Sequence, residues 1–237
     1  MEVLKRKIII VGAGHVGSHA GYALLSQGLV EEIVYIDIDQ KKAEAQALDL
    51  YDSTLYLRKG AIVRAGDYSD AKDAQLLIVA AGPLPDMSKG QTRMDTLRQT
   101  VEVLKDVTAK IKTSGFSGII LSISNPADVI AHYIQHVLDW PPEKVFSTST
   151  TLDSARLRRA IAQAVGVGKV GVGHAQVLGP LVHPPHKGLH LSPADSRQGH
   201  RRVVARVEEQ PVEQGFQGDR FPRLEIERGP LNPRPFP

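Results

Sequence analysis

The stretch that decides the fold lies near the start of the chain and reads Lys7-Ile8-Ile9-Ile10-Val11-Gly12-Ala13-Gly14-His15-Val16-Gly17. Its β-branched apolar run is typical of a strand that is buried on both faces. The Gly-x-Gly-x-x-Gly spacing that follows allows a tight turn and then the opening of a helix. The stretch therefore predicts a strand, a glycine turn and a helix in immediate succession.

Short apolar runs and amphipathic stretches continue to alternate as far as about residue 165. The strand-like runs are Lys7–Val11, Ile33–Asp37, Ala61–Ala65, Leu76–Ala80, Ile119–Ile123 and Val145–Thr148. The helical patterns are His15–Gln27, Lys41–Leu57, Met94–Thr113, Ala127–Leu138 and Ser154–Val165. Strands that alternate with helices form a parallel sheet covered on both faces. Because crossovers are right-handed, we expect the α/β class with a doubly wound, Rossmann-type sheet.

The glycine turn has the properties of a dinucleotide-binding loop. Gly12 permits the tight turn, Gly14 lets a pyrophosphate approach the backbone, and Gly17 allows close packing of helix and strand. The free N–H groups and the positive dipole end of the helix would face the phosphates. His15 and Val16 complete this cofactor-binding turn, and we expect His15 to face solvent.

Asp37 follows Gly17 by 20 residues, at the end of the next predicted strand. This spacing suits a carboxylate that binds the adenosine ribose hydroxyls and repels the extra phosphate of NADP, so the expected cofactor is NAD. The alternative is a glycine-tolerant turn in a domain without ligand, with Asp37 serving as a helix cap.

Four further segments occur in a family-specific order. They are Ala80-Ala81-Gly82, Gly90-Gln91-Thr92-Arg93-Met94-Asp95, Ile123-Ser124-Asn125-Pro126-Ala127-Asp128 and Leu152-Asp153-Ser154-Ala155-Arg156. Over about residues 7–165 the chain resembles the L-lactate/malate dehydrogenase family. Residues 114–156 are most similar to its lactate and L-2-hydroxyisocaproate members.

The resemblance implies a role for each catalytic candidate. Arg93 would close over the substrate and polarise its carbonyl, and Asn125 would orient the substrate and the nicotinamide. Arg156 would bind the substrate carboxylate through two parallel hydrogen bonds. Asp153 would stabilise a protonated catalytic histidine.

The same resemblance places Ala81 and Gly82 at the cofactor, together with Asn125. Taken singly, the candidates also have structural explanations. Arg93 and Arg156 would simply be solvated, Asp153 would be a helix N-cap, and Asn125 with the following proline would start a helix.

The loop before Arg93 bears on the choice of substrate. The position at which malate enzymes of the family place an arginine falls near Met87, and neither Leu84 nor Asp86 supplies a cation either. The resemblance therefore implies a substrate that is a 2-oxo acid with an uncharged side chain. Ser147 and Ser149 stand where the family usually has glycines near the nicotinamide, which predicts a departure in cofactor packing.

Composition excludes several other classes of protein. The chain has no cysteine, so a disulfide framework, thiol catalysis and a cysteine zinc site are excluded, and no metal site is predicted. Most of its net charge of +3 lies beyond Pro180, and no basic stripe with aromatic residues indicates nucleic-acid binding. We find no signal-peptide pattern and no membrane-length apolar run, and therefore expect a cytoplasmic protein without a membrane partner.

The character of the sequence changes beyond about Gly166. Ten of the 15 prolines lie after Gly173, and only the segment 203–212 has the pattern of a short helix or strand. We expect an NAD-binding domain at 1–150, an incomplete start of an α+β substrate domain at 151–179, and a disordered tail without family resemblance at 180–237.

A shifted reading frame would explain the tail. One possible coding of the segment 180–188, read one base later, gives Pro-Trp-Ser-Thr-Leu-His-Ile-Lys-Gly, which resembles the family's sequence shortly after its catalytic histidine. We therefore predict a frameshift before Pro180. His174 does not fit the family's histidine motif, and no histidine is assigned as proton donor.

These observations leave three functions open. The first is an NAD-dependent, lactate-like L-2-hydroxyacid dehydrogenase that acts on a small 2-oxo or 2-hydroxy acid. The second is a catalytically inactive NAD-binding remnant, and the third, disfavoured by Met87, is a malate dehydrogenase. The resemblance also implies a homo-oligomer, although loss of the substrate domain would remove much of the interface.

Overall fold

The computed structural model of the 237-residue chain describes residues 6–57, 59–92, 94–166, 204–206 and 225–227. They fall into two compact units, Met1–Ser149 and Thr150–Pro237. None of the helices in these ranges is long and apolar enough to cross a membrane.

The first unit is a parallel sheet with helices between its strands. The strands are β1 (Lys7–Val11), β2 (Glu32–Ile36), β3 (Ile62–Ala65), β4 (Leu76–Val79), β5 (Ile119–Ser122) and β6 (Val145–Ser147). The helices are α1 (His15–Ser26), α2 (Gln40–Ser53), α3 (Leu97–Thr113) and α4 (Ala127–Leu138), with short 3-10 turns at Thr54–Tyr56, Tyr68–Ala71, Met87–Lys89 and Pro142–Lys144. The strand order is β3-β2-β1-β4-β5-β6, and every neighbouring pair is parallel. The predicted doubly wound α/β fold is confirmed.

Two apolar clusters cover the two faces of this sheet. Alternate residues of β1 divide between them, with Ile9 and Val11 in one cluster and Ile8 and Ile10 in the other. All five residues of β1 are buried. A strand buried on both faces cannot alternate polar with apolar residues, which explains the unbroken apolar run in the sequence.

Strand ends differ from the prediction by at most one residue, but two helices of this unit differ by three or four residues at one end. The helix α3 begins at Leu97, whereas the sequence predicted a start at Met94. The Asp95 carboxylate accepts hydrogen bonds from the Thr92 N–H at 2.6 Å and the Thr92 hydroxyl at 2.7 Å, so a turn precedes the helix. Serine, threonine and aspartate side chains compete for backbone groups in this way.

The helix α2 ends at Ser53 and continues only as a 3-10 turn, although the sequence predicted a helix as far as Leu57. The Ser53 hydroxyl donates to the Leu50 carbonyl at 2.7 Å. That bond satisfies a carbonyl in the last turn of α2, where the helix tightens.

A charged network lies beside the amino ends of the central strands. Arg64 donates to Glu32 from Nε at 3.1 Å, and its Nη2 lies 2.5 Å from Asp70. Lys7 Nζ lies 2.7 Å from Asp73. The hydrogen bond from Arg64 holds the pKa of Asp70 below its ordinary value, and the hydrogen bond from Lys7 does the same for Asp73.

The second unit contains α5 (Thr151–Val165) and two three-residue strands, β7 (Val204–Arg206) and β8 (Glu225–Glu227), which pair antiparallel. The helix begins three residues before the predicted start at Ser154. The strand β7 lies within the segment for which the sequence allowed a helix or strand, whereas β8 was not predicted. The predicted disorder of residues 180–237 otherwise concerns residues outside those described.

Candidate functional site

The carboxyl edge of the sheet brings the predicted cofactor residues together. The segments that leave β1, β2, β4, β5 and β6 all start at this edge because the strands are parallel. The chain order reverses at β1, which pairs with β2 on one side and with β4 on the other. Ligands of open α/β sheets bind in the crevice at such a reversal.

The internal packing of the protein requires glycine at two positions of the turn after β1. Gly12 has φ +105°, and a Cβ there would lie 2.6 Å from the Ala80 carbonyl oxygen. A Cβ at Gly17 would overlap the Gly12 carbonyl oxygen. The turn therefore packs so closely against the start of α1 and the end of β4 that neither position has room for a side chain.

Gly14 differs from these two positions, since its backbone conformation is ordinary, with φ −76°. A Cβ at Gly14 would meet a single described atom within 4 Å, Lys42 Nζ at 3.8 Å. Internal packing therefore does not require this glycine, and the absence of a Cβ leaves the backbone accessible to a ligand. The residues fit a pyrophosphate, because the first N–H groups of α1 have no carbonyl partner within the helix. His15 is exposed, as predicted, and Val16 is 43% exposed beside it.

Asp37 is fixed by two backbone groups at the end of β2. Its Oδ2 accepts a hydrogen bond from the Ala13 N–H at 2.7 Å, and its Oδ1 accepts one from the Asp39 N–H at 3.0 Å. The cap of α2 is Asp39, which accepts from the Lys42 N–H at 3.2 Å, so the interpretation of Asp37 as the helix cap is wrong. The Asp37 carboxylate is instead joined to the glycine turn and keeps acceptor capacity for a ribose hydroxyl.

The segments after β4 and β5 form the other half of the edge. Gly82 has φ +137°, and a Cβ there would lie 3.1 Å from the Thr100 methyl group. The Ser124 hydroxyl donates to the Ala81 carbonyl at 2.6 Å. Asn125 follows, half-buried, and its side-chain amide has no hydrogen-bond partner among the described residues. The peptide bond from Asn125 to Pro126 is cis, and α4 starts at Ala127, so Asn125 lies directly before a helix.

The last strand ends in the two serines at positions where the resemblance implies glycines. The Ser147 hydroxyl donates to Asp128 Oδ1 at 2.8 Å. Ser149 has φ +33°, a backbone region that favours glycine. At these two positions Ser149 therefore adopts a backbone conformation that favours glycine, and Ser147 makes a side-chain contact that a glycine could not make.

The predicted substrate residues lie elsewhere in the chain. In the second unit, the Arg156 Nη1 donates to Asp153 Oδ1 at 2.9 Å, and both side chains are about half-exposed at 45% and 52%. The cap of α5 is Thr150, so the interpretation of Asp153 as the N-cap is wrong. Arg93 and His174 lie outside the described residues.

The loop that bears on substrate choice contains a paired cation. Lys89 Nζ lies 3.2 Å from Asp86 Oδ2. The hydrogen bond from the Ser88 hydroxyl, followed by that from Lys89, lowers the pKa of Asp86. Met87 lies in the 3-10 turn of this loop.

Sequence reasoning missed three features of this edge. The sequence places Lys42 within a helical pattern and indicates nothing more, yet its Nζ lies 3.8 Å from the place that a Cβ on Gly14 would take. Ser124 and Asp128 belong to a family-specific segment, but the sequence predicts no role for either. A signal existed for the Ser147–Asp128 contact, since a serine at an expected glycine position adds a donor, but the partner of that donor depends on which elements pack together.

The comparisons with known proteins agree with this geometry. Residues 6–147 match the family model described as lactate/malate dehydrogenase, NAD binding domain. The chain is 35% identical over 179 residues to L-lactate dehydrogenase 2 of Lactococcus lactis, an alignment that covers 76% of this chain and 56% of the relative.

Two solved structures are similar in fold and sequence. The ligand-bound minor L-lactate dehydrogenase of Enterococcus mundtii aligns with a TM-score of 0.70 and 37% identity over 75% of this chain and 55% of that one. The lactate dehydrogenase of Cryptosporidium parvum, in complex with lactic acid and nicotinamide adenine dinucleotide, aligns with a TM-score of 0.69 and 28% identity over 74% and 55%. The chain thus spans little more than half the length of these relatives.

Proposed function

Because this chain belongs to the lactate/malate dehydrogenase family and carries its NAD-binding domain, we propose that it is an NAD-dependent L-2-hydroxyacid dehydrogenase of the lactate type. The observation that carries the proposal is the glycine turn joined to Asp37, with only Lys42 Nζ within 4 Å of the place that a Cβ on Gly14 would take. Cytoplasmic location and homo-oligomeric assembly are part of the same proposal.

The cofactor half of the proposal uses residues of the first unit. The turn at Gly12, Gly14 and Gly17 holds the pyrophosphate at the start of α1, and Asp37 accepts hydrogen bonds from the adenosine ribose. Ala81, Gly82 and Asn125 lie toward the nicotinamide. When bound, NADH supplies the hydride that reduces the carbonyl carbon of a 2-oxo acid.

The substrate half uses residues that act on the acid. Arg156 binds the substrate carboxylate, Arg93 polarises the carbonyl, and Asp153 stabilises a protonated donor. Arg156 and Asp153 are paired with each other in the described helix through Nη1 and Oδ1, so a substrate carboxylate that uses this edge of Arg156 competes with the exposed ion pair. Exposed pairs contribute only about 0.2–1 kcal/mol, so a substrate carboxylate can compete for Arg156.

An uncharged side chain on the 2-oxo acid suits the loop near Met87. The loop's Lys89 is neutralised by Asp86, and no arginine stands where the malate enzymes have one. Pyruvate or a 2-oxo acid with a larger apolar side chain is therefore the proposed substrate.

The experiment compares binding with turnover in the 237-residue protein. NADH binding is followed by nicotinamide fluorescence, and NADH oxidation is measured with pyruvate, 2-oxoisocaproate and oxaloacetate. We expect binding, and turnover with one of the first two acids in excess of that with oxaloacetate. Binding without turnover would favour the inactive NAD-binding alternative, faster oxaloacetate reduction would favour malate dehydrogenase, and absence of binding would contradict the cofactor proposal.

The domain boundaries belong to the same proposal. A boundary near residue 150 is supported by the division between the two compact units. The segment 151–179 is the start of the substrate domain, and a frameshift precedes Pro180. DNA sequencing of codons 165–190 in independent clones tests the frameshift, which an uninterrupted frame would contradict.

A further inference from the structure

We propose that the Ser147–Asp128 hydrogen bond fixes the turn that carries Asn125, so that Ser147 is a positioning residue for the nicotinamide end of the site. The inference rests on the proposed function, because it concerns where Asn125 is held relative to the cofactor. It also explains how this chain uses a serine where its family resemblance implies a glycine.

The turn at Asn125 is attached to β4 on its amino-terminal side. The Ile123 N–H donates to the Val79 carbonyl at 2.8 Å. The Ser124 hydroxyl then reaches the Ala81 carbonyl at 2.6 Å. Up to the residue before Asn125, the chain is therefore held to the neighbouring strand by both backbone and side chain.

On its carboxyl-terminal side, the turn is attached to β6. Asp128 lies in the first turn of α4, three residues after Asn125, and accepts the Ser147 hydroxyl at 2.8 Å. Ser147 is in turn aligned with Ser122 of β5, and the Thr148 N–H donates to the Ser122 carbonyl at 3.1 Å. The Ser147–Asp128 bond thus closes a ring that runs from β5 through the turn and α4 to β6 and back.

The direction of the Ser147 side chain fits this role. Strand residues two apart point to the same face, and Val145 of β6 lies in the core cluster with Ile130 and Ile134 of α4. The Ser147 hydroxyl is therefore on the α4 side of the sheet, where it contacts Asp128. Apolar packing between β6 and α4 sets their distance, while the hydrogen bond adds a directional restraint near Asn125.

The experiment separates the two halves of the cofactor. Dissociation constants for NADH and for ADP-ribose, which lacks the nicotinamide, are measured by calorimetry on the 237-residue protein and its variants. For Ser147→Ala we expect NADH to bind about fivefold more weakly, the effect of one lost hydrogen bond, with ADP-ribose binding unchanged. ADP-ribose binding also shows that the variant is folded.

Further variants test the bond itself. Asp128→Ala is expected to match Ser147→Ala, and the double variant is expected to be no weaker than either, since both remove the same contact. Ser147→Thr and Asp128→Asn keep a donor and an acceptor and are expected to retain NADH affinity. Ser117→Ala, an exposed serine near the opposite end of β5, is the matched control.

The outcomes are distinguishable. If the unmodified protein binds neither ligand, the proposed function itself fails. If it binds both, but Ser147→Ala weakens them equally or leaves NADH binding unchanged, the positioning role is wrong while the cofactor site stands. Additive effects in the double variant would also contradict the proposal.

Discussion

The two halves of the carboxyl edge are built in different ways. The half formed by β1 and β2 is shaped by backbone that approaches backbone, and side chains are excluded at Gly12 and Gly17. The half formed by β4, β5 and β6 is held by serine hydroxyls that reach a carbonyl or a carboxylate, at Ser124 and Ser147. The first half excludes a side chain at Gly12 and Gly17 and is therefore readable as a motif, whereas the second depends on contacts between distant segments.

The largest expected effect comes from adding a methyl group in the first half. Gly17→Ala places a Cβ on the Gly12 carbonyl oxygen, so we expect a loss of about 2–3 kcal/mol in unfolding free energy and NADH binding weakened by about 100-fold or more. Urea unfolding and NADH titration measure the two effects.

Gly14→Ala sharpens the comparison because its Cβ would meet only Lys42 Nζ, at an ordinary contact distance of 3.8 Å. We expect the unfolding free energy of this variant to stay within about 0.5 kcal/mol of that of the unmodified protein. NADH binding should weaken about as much as in Gly17→Ala. Gly60→Ala, whose Cβ would meet nothing within 4 Å, is the control for both. Equal destabilisation by Gly14→Ala and Gly17→Ala would show that Gly14 serves packing and not a ligand.

A smaller loss of NADH affinity is expected for a substitution at Asp37, whose side chain links the end of β2 to the glycine turn after β1. Asp37→Ala removes the acceptor of the Ala13 N–H and the proposed ribose contact, so NADH affinity should fall about tenfold. NADPH affinity should fall less or rise, because a negative charge is removed. Parallel titrations with both cofactors measure the ratio, and an unchanged ratio would contradict the role of Asp37 in cofactor choice.

The charged network at the amino ends of the strands makes the stability of the fold depend on pH. This pH dependence does not involve the cofactor site at the carboxyl edge. The pKa of Asp70 is lowered by Arg64 and that of Asp73 by Lys7, so both carboxylates bind protons less readily when folded. Their stabilisation is present above the ordinary aspartate pKa of about 4 and is lost as the pH falls through the lowered folded values.

Asp70→Asn should therefore cost about 1–2 kcal/mol at pH 7 and make acid unfolding less steep. Urea midpoints between pH 7 and pH 3 measure this change. Asp52→Asn, on the exposed side of α2, is the control. A pH profile that stays as steep in Asp70→Asn would place the acid sensitivity elsewhere.

The smallest expected effect concerns the half of the edge that is formed by β4, β5 and β6. Ser149 has φ +33°, so Ser149→Gly should raise the unfolding free energy by about 0.5–1 kcal/mol through relief of backbone strain. Thermal unfolding measures it, with Ser147→Gly as a comparison that loses a hydrogen bond and should be destabilised. Destabilisation by Ser149→Gly would mean that the backbone at this position is not strained.

The fold could be predicted in detail because the signals are local. The apolar run of β1 and the periodicity of α4, whose bounds of Ala127 and Leu138 were predicted without error, depend on residues adjacent in sequence. Helix ends were less predictable at α2 and α3, where Ser53 and Asp95 bond to nearby groups instead of extending the helix. Such bonds compete with helical ones by small energy differences that periodicity does not reveal.

The features of the candidate site also fall into two groups: those that local sequence predicts and those that depend on packing. The amino-acid sequence was sufficient to predict the doubly wound fold, the glycine turn and the position of Asp37, because a missing Cβ and a fixed chain spacing are properties of the chain alone. Three contacts follow from the packed structure and not from the chain: Asp37 bonds to Ala13, Gly14 lies near Lys42 Nζ, and Ser147 bonds to Asp128. These contacts join segments 19 or more residues apart, or depend on space left between them, and such distances are set by how the strands and helices pack.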